Sequence, residues 1–138
     1  MSYDLEVIEA ECAVHNLVCT RVSEHEVEIT LWPDCILFFA NLVEEDDTMV
    51  GFKNTPWHSH DELTVMTGDN TSAELDPVEI VRLLTTGVLL IVSQWIDGKL
   101  HDRWLMHRGE RLDLKYLEPH EEFRVKQLAQ QDAPSNGG

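Results

Sequence analysis

The fold is decided by residues 76–107, which read DPVEIVRLLTTGVLLIVSQWIDGKLHDRWLMH. Asp76 is a favourable N-cap because its carboxylate can accept a hydrogen bond from a free N–H of the first helical turn. Pro77 suits the first helical position, where no N–H is needed, and Glu79 completes a capping box. The pattern predicts a helix over about residues 76–87 that ends at Gly87, a residue free to adopt a left-handed conformation.

A long β-hairpin is predicted directly after this helix. Residues 88–96 and 99–107 are strand-like, and Asp97-Gly98 between them is the preferred two-residue type I′ turn. Such a turn sets the register, and the expected pairs are Trp95–Leu100, Ser93–Asp102, Ile91–Trp104 and Leu89–Met106. This face of the hairpin is mostly apolar and is expected to be buried, whereas His101 and Arg103 are expected on the opposite face.

A second hairpin is predicted from the alternation of apolar and polar residues over residues 26–32 and 35–42, with Pro33-Asp34 as its turn. Its expected pairs are Leu31–Ile36, Ile29–Phe38 and Val27–Ala40. The other predicted elements are a short helix over residues 3–13, strands over residues 17–22, 62–67 and 111–116, and a short helix or last strand over residues 121–130.

These elements predict one α+β domain over residues 1–131, followed by a disordered tail over residues 132–138. The domain is expected to consist mainly of an antiparallel sheet of about five to seven strands built from hairpins. The helix at about residues 76–87 is expected to pack on one face of that sheet. The pattern leaves open whether the sheet closes partly into a barrel.

The charge of the chain is large and uneven. The 138 residues carry a formal net charge of −16. Residues 1–76 hold 17 acidic residues against Arg21 and Lys53, whereas residues 77–138 hold nine acidic residues against eight basic ones. Such a field repels nucleic acid and anionic membranes and favours a basic partner. Solubility alone is the other explanation of this charge.

The compartment is expected to be the cytoplasm. No apolar run is long enough to span a membrane. The first residues are acidic, where a signal peptide would be basic and then apolar. The cysteines form no CxxC pair and are odd in number, as expected for reduced, buried thiols; they are Cys12, Cys19 and Cys35.

The residues expected to bind a basic protein partner combine carboxylates with two tryptophans. The acidic run over residues 44–47 is either a docking element for Lys and Arg groups or a solvated charge run. Trp32 and Trp57 are interface candidates because an exposed tryptophan can anchor a partner. The predicted set is Glu26, Glu28, Trp32, Glu44, Glu45, Asp46, Asp47 and Trp57.

One stretch has the spacing of a metal site. His58, His60 and Glu62 are two residues apart, so on a strand their side chains share one side and can share a divalent metal. Residues 51–68 resemble the first motif of the cupin family, which has a Gly, His-x-His, a Glu and a Gly. The resemblance implies a β-barrel and a bound divalent metal. Only Asp61 separates the second His from the Glu, where the family has a longer spacer, and the later cupin motif is not visible.

Catalytic motifs are not found in the sequence. Ser93 and Asp102 are expected to face each other, but His101 is expected on the other face of the hairpin. No nucleophile elbow, P-loop or dinucleotide fingerprint occurs. We therefore expect no catalytic residue and lean towards a protein that is not an enzyme.

Three functional hypotheses follow. The first is a small acidic cytosolic binding protein without a cofactor, which docks on a basic protein through its acidic N-terminal half. Small bacterial immunity proteins and phage-type inhibitors share this character as a class. The second is a cupin-like enzyme that holds one divalent metal through His58, His60 and Glu62. The third is a structural domain that associates with itself, for example as a homodimer.

Overall fold

The computed structural model describes residues 2–128, which contain two α-helices and ten strands. The elements are α1 (Leu5–Val14), β1 (Val18–Ser23), β2 (Glu26–Trp32), β3 (Cys35–Leu42), a 3-10 turn (Val43–Glu45), β4 (Asp47–Phe52), β5 (His58–Ser59), β6 (Leu63–Gly68), β7 (Thr71–Leu75), α2 (Pro77–Thr85), β8 (Leu89–Ile96), β9 (Lys99–His107) and β10 (Glu121–Lys126). The predicted α+β class is confirmed. The predicted tail at residues 132–138 lies outside the described residues.

The strands form three antiparallel sheets. The first has the order β1-β2-β3-β4-β5, the second has the order β10-β8-β9, and β6 pairs with β7 alone. These sheets do not close into a barrel. The described strands exceed the predicted number because β4, β5 and β7 were not expected. β7 is mostly polar and exposed, so its sequence lacks the apolar alternation by which a strand is recognised.

Both helices begin at capping aspartates. The Asp76 carboxylate accepts a hydrogen bond from the Glu79 N–H at 2.9 Å, and the Glu79 carboxylate accepts one from the Asp76 N–H at 3.0 Å. Gly87, at φ +81°, follows α2 in the left-handed conformation, as predicted. Asp4 caps α1. The helices pack on each other, α1 also contacts β1 and β2, and α2 contacts β7 and β8.

One core joins the helices to all three sheets. Phe39 of β3 is fully buried and meets Tyr3 edge to face, with 5.7 Å between ring centroids. The other largest fully buried side chains are Phe52, Ile8, Ile29, Leu37, Ile80, Leu84 and Leu89. Burial of this kind contributes about 1.5–3 kcal/mol for each large side chain. None of the described helices is long and apolar enough to cross a membrane.

The register of the main hairpin differs from the predicted one. Asp97 and Gly98 both have positive φ, as a type I′ turn requires, and Trp95 faces Leu100 as predicted. Beyond that pair a β-bulge at His101 inserts one residue into β9. The pairs beyond the bulge are Gln94–Asp102, Ser93–Arg103, Val92–Trp104, Ile91–Leu105, Leu90–Met106 and Leu89–His107.

This one-residue shift exchanges the faces of β9, because side chains alternate with a period of two. Arg103 was predicted on the outer face and lies on the inner face beside Ser93, while Trp104 lies on the outer face against Phe123. The predicted pairing of Ser93 with Asp102 is therefore wrong. Asp102 instead accepts hydrogen bonds from the N–H groups of Trp57 and Arg103.

The second predicted hairpin, formed by β2 and β3, also contains a bulge. Its strands have the predicted bounds, but an irregularity at Leu31 shifts the register by one residue. Val27 therefore faces Phe39, and Ile29 faces Leu37, instead of the predicted partners. The shift brings the side chains of Cys35, Leu37 and Phe39 to the buried face.

Residues 111–116 do not form the predicted strand. Leu114 and Tyr116 are exposed, at 54% and 76%, so the apolar alternation there is not matched by a packed face. The available edge of β8 is taken by β10, which lies within the range where a helix or a last strand was predicted.

Candidate functional site

An apolar groove of about 260 Å³ opens between the N-terminal ends of the two helices. Its apolar lining comes from Tyr3, Val7 and Ile8 on one side and from Pro77 and Val78 on the other. Four acidic residues also line it, namely Asp4, Asp61, Glu62 and Asp76. These nine residues are termed the acidic groove below. An apolar lining with a carboxylate rim suits a ligand that is both apolar and cationic.

Two of the rim carboxylates are held in place by the helices that they cap. Asp4 accepts a hydrogen bond from the Val7 N–H at 3.3 Å, and Asp76 accepts one from the Glu79 N–H at 2.9 Å. The positive ends of the helix dipoles favour negative charge at these two positions. The packing of α1 on α2 brings both helix ends to one groove.

Glu62 lies on the rim beside a second carboxyl group, that of Glu74. A hydrogen bond with the Glu74 carboxyl raises the pKa of Glu62, and desolvation and the charges of Glu74, Asp76 and Glu79 act in the same direction. Within residues 2–128, no Lys, Arg or His forms an ion pair with Glu62 or Glu74. The negative charge at this part of the rim is therefore not compensated.

Asp61 is positioned by the fully buried Thr48 of β4. The Asp61 N–H donates to Thr48 Oγ1 at 2.8 Å, and the Tyr3 hydroxyl donates to the Asp61 carbonyl at 2.7 Å. Asp61 has φ +58°, a left-handed conformation that Asp tolerates better than most residues. The backbone of Tyr3 is in turn bound by the Asn41 side chain, at 2.6 and 3.0 Å. These bonds attach the groove rim to β3 and β4.

The groove adjoins the acidic loop that the sequence singled out. Burial raises the pKa of Tyr3, and the nearby charges of Asp61 and Asp47 raise it further, although a hydrogen bond with Thr48 acts the other way. Asp47 is half-buried and lies 3.2 Å from His60 Nδ1, whereas Glu44 and Glu45 are exposed. Asp46 is also exposed, at φ +51°. The loop and the groove rim are thus parts of one acidic surface.

None of the eight predicted partner-binding residues lines the groove itself. Glu26 and Glu28 share the Lys53 ammonium, at 3.3 and 3.1 Å, so their charge is partly compensated. Trp32 and Trp57 are half-buried and pack against the core. Their rings are therefore less available to a partner than an exposed tryptophan would be.

The predicted metal ligands are only partly brought together. The His58 and His60 rings lie 5.1 Å apart between centroids, and their Nδ1–H groups face the carbonyls of Pro56 and Thr48. Glu62 lies beside Glu74 instead. Among residues 2–128, no group of three or more His, Cys, Asp or Glu side chains is arranged to hold a metal ion. The β-barrel that the cupin resemblance implies is not formed either.

Sequence reasoning recognised Asp76 as a helix cap and Glu62 as a metal ligand, but it identified neither as part of a groove. It missed Asp4, Asp61 and Glu74 entirely. Asp4 carries the signal of an N-cap, four residues before Ile8 in a helix that was expected. The pairing of Glu62 with Glu74 depends on the register of β6 and β7, and β7 was not predicted.

A scan against protein-family models, a search of curated proteins and a search of solved structures each found no match to this chain.

Proposed function

We propose that this chain is a non-enzymatic acidic binding protein, of inhibitor or immunity type, that docks on a basic protein partner. The docking surface is the acidic groove together with the neighbouring loop over residues 44–47. One observation carries the proposal: an apolar groove has a rim of carboxylates, and Glu62 on that rim lies beside Glu74 instead of beside a cation. The excess of acidic residues in the N-terminal half also favours a basic partner.

The partner's chemistry follows from the lining of the groove. An aliphatic or aromatic side chain fits between Ile8 and Val78, and Lys or Arg side chains beside it reach the rim. A cation placed between Glu62 and Glu74 relieves the repulsion between the two carboxylates. Binding is therefore expected to lower the pKa of Glu62 and to weaken with salt.

The repulsion within the groove makes the free protein less stable than it would be with a neutral rim. This loss of stability is expected where a surface is selected for a partner of opposite charge, because the compensating charges are supplied only in the complex. Exposed acidic residues elsewhere, such as Glu110 and Glu118, provide a comparison in which the same charge is removed without touching the groove.

The test uses a fluorescently labelled peptide in which Lys and Leu alternate, with binding measured by fluorescence anisotropy. The variant Glu62→Gln with Glu74→Gln removes two charges from the rim. The matched control, Glu110→Gln with Glu118→Gln, removes two charges from the other half of the chain. We expect the groove variant to weaken binding at least about tenfold and the control to change it less than about twofold.

Two results would contradict the proposal. One is an equal loss of affinity in the groove variant and in the control, which would mean that only net charge attracts the peptide. The other is an affinity that does not change between about 0.05 and 0.5 M NaCl, since an exposed charge-driven contact is screened over this range. Circular dichroism of both variants checks that the fold is retained.

A further inference from the structure

A second cleft, of about 120 Å³, has cationic walls although the chain as a whole is strongly acidic. It lies between the turn of the β2–β3 hairpin and the inner face of the three-stranded sheet. Its principal lining residues are Trp32, Ile91, Trp95, Arg103, Arg124 and Lys126. Three of the chain's ten Lys and Arg residues thus meet in one place. These six residues are termed the cationic cleft.

The strand register explains why these cations meet. Ser93 in the middle of β8 faces Arg103 on β9 and Arg124 on β10, and Ile91, two residues away, faces Lys126. The side chains of all five therefore belong to one face of the sheet. The bulge at His101 is what brings Arg103 to this face, since Asp102 would face Ser93 in a regular hairpin.

Arg103 is a buried charge without a counter-charge. Only 5% of the residue is exposed, and its guanidinium forms no ion pair with any carboxylate in residues 2–128. Its one side-chain hydrogen bond is from Nη1 to the carbonyl of Asp34, at 2.9 Å. No fully buried side-chain nitrogen in this part of the chain lacks a partner, so the Arg103 nitrogens that form no hydrogen bond retain some exposure, and Arg103 is one of the residues that line the cleft.

The other two cations lie against the two tryptophans. Lys126 Nζ is 4.7 Å from the centre of the Trp32 ring, and the Arg124 guanidinium is 4.1 Å from the centre of the Trp95 ring. Arg124 is paired with Glu122, whereas Lys126 has no ion pair within the described residues. Asp34 is the acidic residue of the lining, so cations outnumber carboxylates there.

We propose that the cationic cleft binds a small organic anion, specifically a carboxylate on a flat apolar ring. Its carboxylate accepts hydrogen bonds from the free N–H groups of Arg103 and from the Lys126 ammonium, and its ring lies beside Trp32, Ile91 and Trp95. A guanidinium matches a carboxylate with two parallel hydrogen bonds. The cleft is smaller than the roughly 300–1,000 Å³ of sites for larger ligands, so a single ring is the fitting size. This site is separate from the acidic groove and does not depend on its function.

The test is a titration with benzoate, followed by tryptophan fluorescence because Trp32 and Trp95 line the cleft. Wild-type protein is expected to give a saturable change with one benzoate bound, whereas benzamide, which has the same ring without the charge, gives none. Lys126→Gln is expected to weaken benzoate binding at least about tenfold. Lys99→Gln removes the same charge at the exposed hairpin tip and is expected to leave binding unchanged.

Three results would overturn the proposal. The first is the lack of any saturable change with benzoate. The second is an equal loss of binding in the two lysine variants, which would indicate a general charge effect. The third is binding of phenyl phosphate without binding of benzoate, which would contradict the carboxylate assignment. Isothermal titration calorimetry of the same variants measures binding without relying on the fluorescence of Trp32, which Lys126 itself contacts.

Discussion

The hydroxyl of Thr48 connects the core of the five-stranded sheet to the rim of the acidic groove, and replacing Thr48 by Val tests this connection. Valine has nearly the same shape, so the apolar contacts of this fully buried side chain are retained. The variant loses the acceptor of the Asp61 N–H, at 2.8 Å, and a longer bond from the hydroxyl to Asp61 Oδ1, at 3.4 Å. It also loses the hydrogen bond with Tyr3.

The size of the effect follows from these bonds. The short bond is normal in length, and leaving its donor without a partner costs about 1–3 kcal/mol. The long bond to Asp61 Oδ1 adds little, because hydrogen bonds weaken with distance. We therefore expect Thr48→Val to lower the free energy of unfolding by about 2 kcal/mol. With a urea m-value of about 2 kcal/mol/M, the midpoint of unfolding moves down by about 1 M.

The matched control is Thr64→Val, at an exposed position on β6, which makes the same chemical change without a buried hydroxyl. It is expected to alter the free energy of unfolding by less than about 0.5 kcal/mol. Urea unfolding followed by circular dichroism compares the two variants. If Thr48→Val is as stable as Thr64→Val, the Thr48 hydroxyl does not hold Asp61 in place and the account of the groove rim is wrong.

Four further predictions concern separate parts of the molecule. Replacing Asp76 by Ala is expected to cost about 1 kcal/mol of stability in urea unfolding, whereas Asn, which also caps helices, costs little; equal losses would contradict the capping role. The pKa of Glu62 is raised in the folded state, so ionisation of Glu62 destabilises the fold as pH rises through that pKa. This destabilisation is absent at pH values below the pKa of Glu62 in the unfolded chain. Glu62→Gln should therefore raise the Tm at neutral pH and lose this advantage in acid, and a pH-independent difference would refute the explanation. Burial raises the pKa of Cys12 to about 12 and that of Cys35 to about 11. Iodoacetamide at about pH 8 should therefore label these two thiols slowly until the protein unfolds. Labelling is measured by mass spectrometry, and rapid labelling of the folded protein would be inconsistent with the burial of these thiols. Deletion of His101 removes the bulge and keeps every pair beyond it, so the variant should stay folded, as measured by circular dichroism, whereas deletion of Trp104 should unfold it because all later side chains of β9 change face.

The limits of sequence reasoning are clearest at the two bulges. The turn residues Asp97 and Gly98 and the strand bounds of β2 and β3 could be predicted, because turns and alternation are local properties. One inserted residue then reversed the faces of each hairpin beyond its turn. A bulge has no strong sequence signal of its own, and its position depends on which register packs best against the rest of the core.

The candidate site likewise combines features that the sequence predicts with contacts that depend on tertiary packing. The uneven charge, the cap at Asp76 and a helix near the start of the chain were predicted from the sequence, whereas the cap at Asp4 was missed although its signal is local. The acidic groove exists only because α1 packs on α2, and the Glu62–Glu74 contact exists only because β6 pairs with β7.

The sequence by itself therefore determined the α+β class, the helix capped by Asp76, the type I′ turn and the acidity of the N-terminal half. Each of these depends on residues that are neighbours along the chain or on composition. Only the tertiary structure decided which carboxylates surround one groove and that Arg103 lies buried beside Ser93. Such contacts join residues far apart in the chain, and their geometry follows from the packing of whole elements rather than from local preference.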